Sequence, residues 1–126
     1  MSTSLALYTE PVSLEDPLPE SVAAVARAYR DLLDERFGER VQSVHLFGSH
    51  ARGDADADSD VDVAVVIRGL TEAERTDAID LAFRAWKISP SPRILSPLVW
   101  SEAELADRVR SERRIAHDIL SEGIPV

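Results

Sequence analysis

From Pro19 onward the apolar positions fall into segments of two distinct periods. Val22, Val25, Ala26, Tyr29, Leu32, Leu33 and Phe37 recur at three- and four-residue spacing ahead of Gly38. That spacing predicts an amphipathic helix with a glycine stop. Val41 to Phe47 (VQSVHLF) and Val61 to Ile67 (VDVAVVI) are short, apolar and rich in β-branched residues, and each ends at a turn signal, so both read as buried strands. Thr71 with Glu74 forms a capping-box pattern that opens a second helix, whose apolar side includes Ala78, Ile79, Ala82, Phe83 and Trp86. The Ser89-Pro90-Ser91-Pro92 run breaks it. Arg93 to Trp100 (RILSPLVW) suggests a third strand, and Pro97 inside it points to an edge or a bulge because it lacks a ladder N–H. Ser101 with Glu104 repeats the capping box. Leu105, Val109, Ile115, Ile119 and Leu120 then support one broken or two short helices ending at Gly123.

This order of helix, strand, strand, helix, strand, helix predicts one small α/β (α+β) domain over residues 19–126. Residues 1–18 form an arm with Pro11 and Pro17 and no sustained period. The sheet is expected to be mixed, with three to four strands and helices mainly on one face. At 126 residues and 44% hydrophobic, the chain suits a single core.

Charge and composition mainly remove options. Fourteen basic against 23 acidic residues give a net charge of -9, which argues against general DNA or RNA binding. The absence of cysteine excludes disulfide frameworks, thiolate catalysis and Cys-based zinc sites. No apolar run is long enough to span a bilayer and no secretory signal pattern opens the chain, so no membrane association and a cytoplasmic location are expected.

One segment is explained neither as core nor as ordinary surface: GSHARGDADADSDVD, residues 48–62. Asp60 and Asp62 stand two apart at the start of a strand, where positions i and i+2 share a face, so both carboxylates aim at one point. Two such anions repel unless a cation sits between them. Their hard oxygens suit Mg²⁺ or Mn²⁺, which keep several waters and take phosphate oxygens as further ligands. Gly48 and Ser49 close the preceding strand, where glycine lets backbone N–H groups approach a phosphate and the serine hydroxyl adds a donor. Arg52 follows with a guanidinium able to reach a phosphate oxygen. A metal-bound nucleotide is the natural occupant.

Competing motifs fail on spacing. An EF-hand reading of Asp54, Asp56 and Asp58 needs a glycine where Ser59 stands and a glutamate where Val65 stands, so these aspartates read as a solvated loop. Neither a Gly-x-Gly-x-x-Gly run nor a Gly-Lys-Ser/Thr run is present. The three histidines show no paired ligand spacing, and His45 and His117 read as structural. Arg108, Arg110, Arg113 and Arg114 are interleaved with acids and read as a solvated or partner face. Trp86 and Trp100 read as core edge.

Gly48-Ser49, ten residues and then Asp60-x-Asp62 resembles the nucleotide-binding motif of the DNA polymerase β superfamily of nucleotidyltransferases, and in particular its minimal nucleotidyltransferases. The match extends loosely over Val41 to Val126. The resemblance implies the polymerase β-like nucleotidyltransferase fold, with Ser49 and its flanking backbone on the β- and γ-phosphates. It also implies that Asp60 and Asp62 act as metal ligands and catalytic residues, and that a nucleoside monophosphate, AMP from ATP being the expected case, moves to an acceptor hydroxyl. Some proteins of this kind act as antitoxins that modify a small helical HEPN-type toxin. With no second domain in view to grip an acceptor, a protein partner of that kind or a homo-oligomer is expected.

The sequence departs from the family at one place. Many members carry a third carboxylate on the next strand, but here that strand reads Ile94-Leu95-Ser96-Pro97-Leu98-Val99-Trp100. Ser96 is its nearest polar residue and is a poor base. Glu102, Glu104, a substrate group or water are the candidates for the proton. A second reading therefore stands beside the first: a catalytically weak or inactive nucleotide-binding subunit that stabilises a partner complex.

Overall fold

The computed structural model describes residues 19–48, 60–90, 94–111 and 114–126. Its first helix, α1 (Glu20–Phe37), begins after Pro19 and ends at Gly38, whose φ of 60° few other residues adopt. A 3₁₀ turn (Gly38–Arg40) leads into β1 (Val41–Phe47), and β2 (Val61–Ile67) lies antiparallel to it. Both strands have the limits read from the sequence. Next come α2 (Glu72–Ile88), β3 (Leu95–Ser101), α3 (Glu102–Arg110), α4 (Arg114–Glu122) and a two-residue β4 (Ile124–Pro125). The N-terminal arm lies outside the described residues.

The four strands form one mixed sheet in the order β3-β2-β1-β4. β3 is parallel to β2 and sits at an edge, where Pro97 costs no interior ladder bond. β4 is antiparallel to β1, with His45 opposite Pro125 and Leu46 opposite Ile124. Sequence periodicity missed this strand because two residues carry no period.

Strand alternation divides the core in two. Val61, Val63, Val65 and Ile67 of β2 pack with α1, α2 and the inward residues of β1 and β3. Ala64 and Trp100 pack on the opposite face with Ala116 and Ile119 of α4, helped by Phe47, Leu98, Leu105 and Val109. The two long helices thus cover one face and the two short ones reach the other. Buried Tyr29 ties α1 to α2 by donating its hydroxyl to the Ala78 carbonyl at 2.8 Å. Both predicted capping boxes are complete, at Thr71/Glu74 and at Ser101/Glu104.

One expectation needs correcting. The core-facing residues of α2 are the small ones and a leucine, Ala78, Leu81, Ala82 and Ala85, while Ile79, Phe83 and Trp86 point outward at 45%, 59% and 37% exposure. Close approach of α1 to α2 selects alanines at the contact, and the bulky residues lie one helical step around. Ile115 and Leu120 of α4 are likewise exposed, whereas Ile119 is buried.

Candidate active site

The end of the sheet where β1 stops and β2 starts holds Gly48, Asp60 and Asp62 of the residues singled out by sequence. Asp62 lies in register with Phe47 of β1 on one side and with Ser96 of β3 on the other. Asp60, exposed, immediately precedes β2, and Asp62 is half-buried. Gly48 follows β1 directly with φ of 76°, and a Cβ built on it would stand 2.5 Å from Oδ2 of Asp62. The backbone conformation favours glycine there, and an added Cβ would push the Asp62 carboxylate aside. The closest structural link in the motif, Gly48 to Asp62, joins positions 14 residues apart in sequence.

Ser49 and Arg52 lie outside the described residues, as do His50 and Asp54, Asp56 and Asp58. Among the described residues, no cluster of three or more His, Cys, Asp or Glu side chains is assembled as a metal cage. The donors in view are the Asp62 carboxylate against Gly48 and the exposed Asp60 one residue before β2. Carboxylates at one strand end fit a hard divalent cation that completes its shell with water and phosphate oxygens.

Ser96 is exposed, and its register with Asp62 puts a hydroxyl where a third acid of the sheet would stand. Glu102 and Glu104 are poor candidates for the missing base on geometric grounds. They follow Ser101, which pairs with Ile67 at the opposite end of β2 and β3, about 16 Å from Ser96 at ~3.3 Å per residue. Both are also occupied there. Glu102 accepts the Gly69 N–H at 2.9 Å, the main reason its carboxyl is held below the ordinary range. For Glu104 burial pushes the carboxyl upward, but the Ser101 N–H and the Arg75 guanidinium, 2.8 Å away, outweigh it and hold it low. These glutamates are struts, not proton acceptors for the site.

The remaining polar features have structural settings. His45 is half-buried on β1, and burial, reinforced by the positive charge of Arg30, pushes its imidazole below the usual value, so it rests neutral. Arg108 stacks its guanidinium 4.7 Å from the Trp100 ring centroid, and Arg110 pairs with Asp107 at 3.3 Å. Arg113 lies outside the described residues. No described helix is long and apolar enough to cross a membrane.

The family described as nucleotidyltransferase domain matches residues 26–118, a span that runs from α1 into α4 and includes the whole Gly48 to Asp62 segment. The chain belongs to this family, within the polymerase β-like superfamily, and by class it is a nucleotidyltransferase. Such enzymes generally use a nucleoside triphosphate and a divalent metal. Among solved structures, the chain is similar to a candidate nucleotidyltransferase from Sulfolobus solfataricus, at 23% identity and a TM-score of 0.48, with 84% of this chain and 82% of that one covered. No curated protein matches it.

Proposed function

We propose that this protein is a Mg²⁺-dependent minimal nucleotidyltransferase that moves AMP from ATP to a hydroxyl on a protein partner, and that Gly48, Ser49, Arg52, Asp60 and Asp62 carry the reaction. The observation behind this reading is Gly48 set against the Asp62 carboxylate at the open end of the sheet. Asp60 and Asp62 hold the cation. Ser49 and the Gly48 backbone bind the β- and γ-phosphates, and Arg52 adds a charged donor to a phosphate oxygen. A bound divalent ion, Mg²⁺ or Mn²⁺, supplies neutralisation of charge on the attacking and leaving oxygens.

The acceptor oxygen attacks the α-phosphorus, a new P–O bond forms, the bond to the β-phosphate oxygen breaks, and pyrophosphate leaves. The hydroxyl proton goes to water, to a substrate phosphate or to a group on the acceptor, since Glu102 and Glu104 sit at the far end of β3. This makes the acceptor part of the machinery and favours a protein partner, a small helical HEPN-type toxin being the case the family resemblance suggests. The antitoxin role rests on that resemblance.

A second reading is favoured by one observation, the neutral Ser96 in register with Asp62. On this reading the chain binds Mg²⁺-ATP and stabilises a partner complex with little or no transfer. The two separate on label transfer from α-³²P ATP with Mg²⁺ into a host lysate, wild type against the Asp60→Asn/Asp62→Asn double variant. A labelled acceptor seen only with wild type supports transfer. Mg²⁺-ATP binding without any label supports the binding subunit.

A further inference from the structure

A groove beside α2 is a second feature that the nucleotide site does not use. Ile79, Ala82, Phe83 and Trp86 follow one another at i, i+3, i+4 and i+7, a continuous apolar stripe along the helix. Ile94, Leu95 and Pro97 close the other side of a groove of about 360 Å³. Ile79, Phe83, Trp86, Ile88 and Ile94 are 37 to 67% exposed. Isolated exposed apolar residues are ordinary, whereas a contiguous set of this size marks a contact surface.

The edge strand at the rim does not invite another strand, because Pro97 offers it no N–H. A helix is the better occupant, and the charges beside the stripe indicate which one. Asp80 and Lys87 are seven residues apart, close to two helical turns, so they lie on the same flank of the stripe with opposite signs. The Lys87 amine lies 4.8 Å from the Phe83 ring centroid, which keeps it at the margin of the stripe. When two copies of one helix pack antiparallel about a two-fold axis, like flanks meet and the sequence direction reverses. Lys87 of each copy then comes alongside Asp80 of the other, and the pairing occurs twice. The same axis passes close to Phe83, so the two Phe83 rings lie near each other at the centre of the contact.

We propose that this groove is filled by a second copy of the chain, α2 against α2, in an antiparallel two-fold dimer. The inference is independent of the transfer reaction. Sedimentation velocity across a hundred-fold concentration range tests it. The expected result is a dimer whose dissociation constant rises at least ~10-fold in Phe83→Glu, with a melting temperature equal to that of wild type at concentrations where both are monomers, since Phe83 is exposed in the monomer. Lys87→Asp is expected to weaken the dimer by setting like charges opposite each other, and adding Asp80→Lys to the same chain restores it. A monomer at every concentration overturns the proposal and leaves the groove to a different protein. A dimer indifferent to Phe83→Glu, or a charge reversal that Asp80→Lys does not repair, overturns it as well.

Discussion

The two ends of the central strand pair, β2 with β3, carry different sets of charges. At the Ile67–Ser101 end each acid has a partner supplied by the chain itself. Glu74 takes both Nη atoms of Arg40 at 2.7 and 2.9 Å, Glu104 takes Arg75, and Glu102 takes the Gly69 N–H. Arg75 adds a bond to the Val99 carbonyl, so helix α2, strand β3 and helix α3 are stitched together. At the Asp62–Ser96 end, the Asp62 carboxylate lies against Gly48 and Asp60 stands just before the strand. Charges satisfied within the fold hold elements in place. Carboxylates collected beside open backbone are suited to a ligand of opposite sign.

That contrast is broken most severely by removing the acids themselves. Asp60→Asn/Asp62→Asn is expected to lower transfer by a factor on the order of 10² or more, since the charge holding the cation is gone. The variant is expected to stay folded, because the substitutions are isosteric and leave the buried face of β2, Val61, Val63, Val65 and Ile67, untouched. Product formation and urea unfolding on the same protein check both halves. Gly48→Ala sits next in size and affects both quantities. The side chain enters at φ of 76° against Asp62 Oδ2, so we expect about 1–3 kcal/mol of lost stability, together with weakened Mg²⁺-ATP binding by calorimetry.

The opposite end answers differently. Thr71→Ala and Ser101→Ala each delete one half of a capping box and should cost roughly 1 kcal/mol in chemical denaturation while leaving transfer intact. Tyr29→Phe should cost a similar amount, ~1 kcal/mol, through loss of its bond to Ala78.

Glu74 gives this end a pH signature. Arg40, and next the Thr71 N–H, pull its carboxyl from 4.5 down to about 2. A depressed carboxyl stabilises the fold above its unfolded value and loses that contribution as pH falls from about 4.5 toward 2. Arg40→Met should flatten the stability profile over that window and leave it unchanged near neutrality in shape, a smaller effect measured by urea midpoints from acid to neutral pH.

Local pattern was enough for most elements. β1 and β2 were legible to the residue because apolar runs bounded by turn residues have few alternatives, and both capping boxes were legible because their partners lie three residues apart. Non-local facts were not. The strand order, the register of Asp62 with Ser96, and the Arg40–Glu74 pair spanning 34 positions depend on which segments meet, and one chain's periodicity does not encode that. The third strand starts two residues later than its apolar run, at Leu95. The orientation of α2 was misread for a related reason. Hydrophobicity favoured Ile79, Phe83 and Trp86 as core, while the tight approach of α1 selected the alanines. For the site, the Gly-Ser and Asp-x-Asp spacing named the residues, and the fold added that Gly48 abuts Asp62 and that the nearby glutamates lie too far along β3 to take a proton.

The most direct test of the central claim is a calorimetric titration of the purified protein with ATP, in the presence and absence of Mg²⁺, for wild type and Asp62→Asn. The account predicts metal-dependent binding by wild type that is lost in the variant while its melting temperature holds. Equal binding by the two proteins, or wild-type binding indifferent to Mg²⁺, would contradict it.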